Sequence, residues 1–122
     1  MTFEPELLDR LRREAEVEIE TTSPKGTVHR TIIWIVADQR HAYIRSERGE
    51  RGRWYRELRQ HAEGALWLGA EHIPIRVEVV AGDEVERVSE LLQAKYGRHS
   101  PASTRAMLMP ETLGTTLRLA SR

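Results

Sequence analysis

The sequence contains no cysteine, which excludes disulfide bonds, thiolate zinc sites, iron–sulfur clusters and a cysteine nucleophile. A chain without disulfides suits a reducing compartment, so we expect a cytoplasmic protein. No apolar run approaches the roughly 20 residues of a membrane span. The acidic, helix-patterned segment Met1–Glu20 does not have the features of a signal peptide. The net charge is zero, so no overall field favours nucleic acid or a membrane surface.

Motifs for hydrolysis and for metal binding are also missing. The sequence has five histidines, but none lies in an HExxH arrangement and no two are spaced to share one helix face as ligands. There is no GxSxG motif for a serine nucleophile. The sequence therefore predicts no metal site and singles out no hydrolytic centre.

What remains is a patterned chain of 122 residues, 39% of them hydrophobic, enough for one domain spanning residues 1–122. Helical spacing predicts helices over Pro5–Ala15, Arg53–Ala62 and about Asp83–Tyr96, the last opened by a capping box of Asp83 and Glu86. Alternation and apolar runs predict strands over Glu16–Thr22, Thr27–Asp38, His41–Ser46, Ala65–Gly69, Ile73–Ala81 and Gly114–Ala120. The first three strands are expected to form an antiparallel meander, since their connections are too short for crossovers. Residues 98–111 are weakly patterned and suggest a loop with one helical turn.

These elements predict a mainly β, α+β fold: a small six-stranded antiparallel barrel with about three helices. Trp34 and Trp67 lie in apolar strands, so we expect them in the core or at an interface. His29 is expected to be a solvent-facing residue at a strand edge.

The segment Arg45–Arg59 carries the clearest chemical signal. Residues 40–59 hold seven arginines and three glutamates. A strand ends at Ser46, a loop with two glycines follows, and a helix begins near Arg53. The first turn of a helix offers unpaired amide groups and partial positive charge to an anion. Arg48, Arg51 and Arg53 add forked donors suited to phosphate oxygens, and the aromatic pair Trp54-Tyr55 lies on the same turn.

Two interpretations of this segment are open. Phosphate donors beside a flat aromatic surface are what a flavin-type nucleotide needs. The alternative is an exposed basic loop in which Trp54 only anchors the helix in the core. The residues by themselves favour the second interpretation slightly.

The patterns TTSPKGTVHRTIIW and YIRSERGERGRWYRELRQHAEGALWLG resemble the FMN- and deazaflavin-binding split β-barrel superfamily. This superfamily includes pyridoxamine-phosphate-oxidase-like proteins and deazaflavin-dependent nitroreductases, and the resemblance is to an uncharacterised branch near the latter. The likeness covers roughly Val17–Val80. Its individual motifs are loose, while their order and spacing together are more specific.

The resemblance implies a role for each matching residue. Arg30 and Thr31 would lie on the strand that flanks the cofactor ring, and Ser46 and Arg48 would hold the cofactor phosphate. Arg53 and the amides near Trp54 would complete the anion site, and Trp54 or Tyr55 would border the ring. It also implies FMN or 8-hydroxy-5-deazaflavin as cofactor and a homodimer with the cofactor at the subunit interface.

The sequence departs from the family pattern at two points. The family's Gly-Arg-Lys after the paired threonines is Ser23-Pro24-Lys25 here. The lysine of the family's phosphate loop is absent, so Arg48 must substitute for it, and the two cations differ in shape. The expected function is therefore a flavin- or deazaflavin-dependent oxidoreductase of unknown substrate, while enzymatic turnover is left open.

Two other hypotheses compete with this one. The chain could be a non-catalytic dimeric split-barrel module that lacks a cofactor. It could also bind single-stranded nucleic acid through the exposed arginines of residues 40–59 with Trp54 and Tyr55 as stacking groups. The zero net charge and the interspersed glutamates argue against nucleic acid, because phosphate contacts dominate such affinity.

Overall fold

The computed structural model describes residues 2–122, and its helices follow the periodicity of the sequence. The five α-helices are α1 (Pro5–Arg13), α2 (Arg53–Gln60), α3 (Asp83–Tyr96), α4 (Pro101–Met107) and α5 (Pro110–Leu113). A single 3₁₀ turn, Gly49–Arg51, precedes α2. The expected capping box is absent: α3 begins after Gly82, whose φ is 67°, and no side chain caps it. Glycine tolerates that left-handed conformation, which explains the start of the helix.

The described residues form one antiparallel sheet of seven strands that is curled into a half-barrel. The strands are β1 (Val17–Thr22), β2 (Val28–Ile33), β3 (Val36–Ala37), β4 (Ala42–Ile44), β5 (Glu63–Leu68), β6 (Glu71–Val79) and β7 (Leu117–Ser121). Their order across the sheet is β2-β1-β5-β6-β7-β4-β3. The α+β class is confirmed, but the predicted number of six strands is wrong.

The extra strand arises because the predicted strand Thr27–Asp38 is interrupted at Trp34 and Ile35. β2 pairs with β1, whereas β3 pairs with β4 at the opposite edge of the sheet. The Ile35 N–H donates to the Tyr96 hydroxyl (3.2 Å), and the Lys95 ammonium donates to the Ile35 carbonyl oxygen (2.6 Å). Side chains of α3 thus satisfy backbone groups that would otherwise need a neighbouring strand. The expected three-strand meander is therefore wrong.

The segment after α3 is more ordered than its sequence indicates. The predicted loop over residues 98–111 contains α4 and part of α5, so there are five α-helices where about three were expected. Both short helices have proline in the first turn. At that position a backbone N–H would have no hydrogen-bond partner within the helix, so its absence in proline costs nothing. α5 packs against the 3₁₀ turn, and this contact helps to shape the loop before α2.

Two apolar clusters hold these layers together. The larger lies inside the half-barrel and includes Leu11, Ile19, Leu58, Leu66 and Leu117. The smaller lies between the β3–β4 pair and helices α3 and α4. The site described next lies where the larger core meets the edge strand β2.

Candidate functional site

A cleft of about 440 Å³ opens between β2, the loop after β4 and the start of α2. It brings together five of the seven residues that the sequence singles out, which are Thr31, Ser46, Arg48, Arg53 and Trp54. The local order of strand, glycine-containing loop and helix start explains this, because the chain turns back within eight residues. The loop contributes Arg48 and Glu47 to the cleft, and the start of α2 contributes Arg53 and Trp54.

Arg53 is the best-fixed cation of the cleft. Its Nη2 donates to the Thr31 hydroxyl across 2.8 Å, so the first turn of α2 is tied to β2. A planar guanidinium has five N–H donors, so Arg53 keeps donors for a ligand. The backbone N–H groups in the first turn of α2 have no carbonyl oxygen one turn earlier in the helix to which they can donate a hydrogen bond. Arg48 and Glu47 line the same cleft and are both exposed.

The two loop glycines are required by packing inside the protein. Gly49 has a φ of +63°, and a Cβ there would lie 2.7 Å from the Glu111 carbonyl oxygen of α5. A Cβ on Gly52 would collide with the Ser46 hydroxyl. Glycines in such a loop can let the backbone approach a ligand closely. The structure gives a different reason, which is that the loop folds closely onto Ser46 and α5.

Ser46 is buried, and its hydroxyl donates to the Gly49 carbonyl oxygen (2.8 Å). Its own N–H donates to the Thr115 hydroxyl (3.0 Å). The hydroxyl proton is thus already used within the loop. A direct role of Ser46 in holding phosphate stays a prediction, and in this structure the residue shapes the loop.

A second cavity of about 250 Å³ adjoins the first and shares Ile32, Glu47 and Trp54 with it. Trp34 forms one wall and stacks on Tyr96, with ring centroids 3.9 Å apart and planes within 5°. We call this cavity the aromatic lobe and the first one the anion lobe. The aromatic lobe is mixed in character, because Glu16, Arg45 and Glu47 line it together with apolar and aromatic side chains. Aromatic walls next to a lobe that contains two arginines suit a ligand that carries both a planar and an anionic group.

Arg45 lines the aromatic lobe from below and is almost completely buried, with 2% of its surface exposed. Its guanidinium donates to the Thr116 and Ser89 hydroxyls and to the Val85 and Met107 carbonyl oxygens, all at 2.9–3.0 Å. No carboxylate among the residues described lies within ion-pair distance of it. Burial lowers the pKa of Arg45 to about 10, so the residue is charged at neutral pH and joins β4, α3, α4 and the start of β7.

Arg30 and Tyr55 lie away from both lobes. Successive strand residues point to opposite faces, so Thr31 faces the cleft while Arg30 faces outward. Arg30 donates to Glu18 (2.6 Å), and its guanidinium lies 4.0 Å above the Trp67 ring. Tyr55 is packed into the larger core. Trp54 belongs to that core and also lines both lobes. Its role as an anchor of the helix is confirmed, and a contact with a cofactor ring stays a prediction.

Sequence analysis missed Glu57, which is buried one helical turn after Arg53. Its Oε1 accepts a hydrogen bond from the Thr21 hydroxyl (2.6 Å), and its Oε2 lies 3.2 Å from His29 Nδ1. His29, expected at a solvent-facing edge, is therefore partly buried against a carboxylate. The i,i+4 spacing of Arg53 and Glu57 was the available signal, but the burial depends on residues of β1 and β2.

Behind the aromatic lobe, the Lys95 ammonium donates to the Leu11 and Ile35 carbonyl oxygens at 2.9 and 2.6 Å. Burial lowers the pKa of Lys95 to about 8, although the nearby Glu14 opposes this. Burial raises the pKa of Tyr96 to about 12, and its hydroxyl donates to the Ala15 carbonyl oxygen (2.7 Å). These groups fix the wall that carries Trp34.

Within residues 2–122, no three acidic or histidine side chains are grouped as metal ligands. Over the same residues, none of the helices has the length and apolar character needed to cross a lipid bilayer.

Solved structures with the same fold include proteins of different function. HutZ, the haem storage protein of Vibrio cholerae, matches with a TM-score of 0.68 and 13% identity over 100% of this chain and 92% of its own. An F420-H2 dependent reductase (FDR-A) has a TM-score of 0.66 and 14% identity, covering 87% and 94% of the two chains. A protein of Listeria innocua described as a pyridoxamine 5'-phosphate oxidase has a TM-score of 0.61 and 14% identity, covering 93% and 87%. The chain thus has the split-barrel fold that these proteins share.

One further structure of this fold, with a TM-score of 0.68 and 14% identity over 87% of this chain and 80% of its own, is described as a domain-swapped dimer. No protein with a curated description matches the sequence. A family model described as "Uncharacterized protein conserved in bacteria (DUF2255)" matches residues 7–119.

Proposed function

This chain belongs to the DUF2255 family of uncharacterised bacterial proteins, and we propose that it binds a phosphate-bearing flavin-type cofactor and acts as an oxidoreductase. The cofactor would be FMN or 8-hydroxy-5-deazaflavin, held in the cleft between β2 and α2. The substrate is unknown.

One observation carries the proposal: the anion lobe and the aromatic lobe are adjacent, and Ile32, Glu47 and Trp54 line both of them. Arginine binds phosphate oxygens through paired, planar donors, and Arg53 is already oriented by Thr31. The amides at the start of α2 add the partial charge of a helix N-terminus. The residues present therefore fit a ligand with a phosphate at one end and a planar ring system at the other.

A flavin or deazaflavin supplies hydride chemistry when it is bound. The part of this chain is then to bind and orient the group and to keep water away. Arg48 and Arg53 would hold the phosphate, while Trp34 and Trp54 would border the aromatic lobe. Glu16 and Glu47 also line the aromatic lobe. The split-barrel fold of the reductases among the solved structures supports this assignment.

One of the residues that line both lobes also supports a homodimer. Ile32 is 63% exposed although it borders both lobes, and exposed apolar residues beside a cleft are typical of interaction surfaces. A second copy that covers Ile32 would close the cleft and exclude water from it. The domain-swapped dimer among the proteins of this fold supports self-association.

Fluorescence titration of the purified protein, with FMN and the deazaflavin cofactor run in parallel, tests the proposal. Micromolar quenching of tryptophan fluorescence by one of the two is expected, because Trp34 and Trp54 line the cleft. A protein that dimerises but binds neither ligand at about 100 μM, equivalent to about −5.5 kcal/mol, contradicts the proposal. That result would support the non-catalytic module instead.

A further inference from the structure

Glu57 is a buried carboxylate that the proposed binding site does not yet use. Its side chain is 7% exposed. A carboxylate in such a place is stable only when it is paired and hydrogen-bonded. The Thr21 hydroxyl, itself buried, donates to Oε1 across 2.6 Å. His29 Nδ1 lies 3.2 Å from Oε2. Glu57 is therefore held from two strands as well as from its own helix.

The same carboxylate reaches the anion lobe through Arg53. Arg53 Nη1 lies 3.6 Å from Glu57 Oε1, and Arg53 Nη2 donates to the Thr31 hydroxyl at 2.8 Å. One terminal nitrogen is hydrogen-bonded to Thr31, and the other faces the Glu57 carboxylate at ion-pair distance without a hydrogen bond. A guanidinium restrained in this way has fewer orientations, so less conformational freedom is lost when it binds a ligand.

We propose that Glu57 is a positioning residue of the anion site: fixed by Thr21 and His29, it holds the Arg53 guanidinium in the orientation that binds a phosphate group. This inference rests on the proposed function, because it assigns Glu57 to the same phosphate lobe. Glu57 itself does not contact the ligand and acts through Arg53.

The charged and polar side chains around Glu57 show why it suits the role of a positioning residue for Arg53. On α2 the nearest charged side chains are Arg53 and Arg56, which line a small cavity with Glu57. β1 contributes the neutral Thr21, and β2 contributes His29 and Thr31. The carboxylate compensates part of the arginine charge while it stays behind the cleft, so it fixes Arg53 without occupying the lobe.

The test compares the affinity for FMN with the affinity for riboflavin, which lacks the phosphate. We expect Glu57→Gln to lower the preference for FMN about tenfold, the size of one lost charge-assisted contact, while riboflavin affinity is unchanged. Glu57→Asp, which keeps the charge, should retain more of the preference than Glu57→Gln. Glu50→Gln is the matched control, because it removes one negative charge from an exposed residue of the loop before α2 and should leave the preference unchanged.

A double-mutant cycle separates positioning from general stability. If Glu57 acts through Arg53, the Arg53→Ala/Glu57→Gln protein has the same FMN preference as Arg53→Ala alone. If Glu57→Gln lowers the FMN preference by the same factor in the Arg53→Ala protein as in the wild type, the inference is overturned. If Glu57→Gln does not fold, Thr21→Val removes only the donor that fixes the carboxylate and should lower the preference in the same direction.

The outcomes for this inference and for the proposed function are distinct. A wild-type protein that has no preference for FMN over riboflavin and does not bind the deazaflavin cofactor overturns the phosphate lobe, and the role of Glu57 with it. A wild-type protein with that preference, undiminished in both Glu57→Gln and Thr21→Val, overturns only the positioning role.

Discussion

Arg53 Nη2 donates to the Thr31 hydroxyl across 2.8 Å, and this bond joins the first turn of α2 to the edge strand β2. The two residues are 22 positions apart, yet they form adjacent walls of one cleft. Arg53 lines the cleft at the start of α2, where the first backbone N–H groups have no partner within the helix. The proposed anion site depends on this arrangement.

Replacing Arg53 with alanine is expected to weaken FMN binding by about 1.5–3 kcal/mol, the range for a hydrogen bond to a charged group. Riboflavin binding should change little, because the lost donors face the phosphate. Isothermal titration calorimetry measures both affinities. Arg30→Ala is the matched control, since Arg30 lies on the opposite face of β2 and should leave FMN affinity unchanged. An equal loss in both variants would contradict the assignment of Arg53.

Gly52→Ala is expected to disturb the loop that shapes the anion lobe. A Cβ at residue 52 collides with the Ser46 hydroxyl, which must then release the Gly49 carbonyl oxygen. We expect a loss of about 1–3 kcal/mol in the free energy of unfolding, the usual cost of overpacking, together with weaker FMN binding. Gly114→Ala is the control, because a Cβ there meets nothing within 4 Å. Urea unfolding of both variants checks the expectation, and a fully stable Gly52→Ala protein would refute it.

Arg45→Met is expected to lower the free energy of unfolding by about 3 kcal/mol or more. The substitution removes four hydrogen bonds donated by a charged group, to the Thr116 and Ser89 hydroxyls and to the Val85 and Met107 carbonyl oxygens, and a hydrogen bond to a charged group contributes about 1.5–3 kcal/mol. Arg40→Met, at an exposed position, should stay within about 0.5 kcal/mol of the wild type. Chemical denaturation measures both. Similar stabilities for the two variants would show that Arg45 does not join the elements around it.

The free energy of unfolding should rise between about pH 8 and pH 10. The pKa of Lys95 is lowered to about 8 in the folded protein and is about 10.4 in an unfolded chain. The unfolded state therefore binds more protons in this range, and stability increases with pH. Above about pH 10 the two buried tyrosines have the opposite effect and lower the free energy of unfolding as the pH rises. The pKa of Tyr96 is raised to about 12, and burial also raises the pKa of Tyr43.

Lys95→Met should remove the rise between pH 8 and 10, while Lys25→Met, in an exposed turn, should retain it. Thermal melts over this pH range distinguish the two variants. A Lys95→Met protein with the wild-type profile would mean that another group causes the rise.

The anion lobe could be predicted from the sequence because its parts are local. The residues from Ser46 to Trp54 follow one another, and the order of strand end, glycines and helix start is visible in the sequence. The role of the glycines could not be predicted in the same way. Gly49 packs against Glu111, and that contact depends on α5, which the weak pattern of residues 98–111 did not reveal.

The errors in the strand count and in the burial of Glu57 have a similar cause. The break at Ile35 is stabilised by Lys95 and Tyr96, about 60 residues later in the chain. The burial of Glu57 requires Thr21, 36 residues earlier. Local periodicity contains no information on such partners, so an apolar run appeared as one strand and no pattern marked Glu57 as buried.

The central claim is that the cleft binds the phosphate end of a flavin-type cofactor. Calorimetric titration of the wild-type protein with FMN, the deazaflavin cofactor and riboflavin tests it most directly. We predict micromolar binding of FMN or of the deazaflavin, and an affinity for riboflavin about tenfold or more below that for FMN if FMN is the ligand. Riboflavin binding as tight as that of FMN, or no binding of any of the three at about 100 μM, would contradict the account.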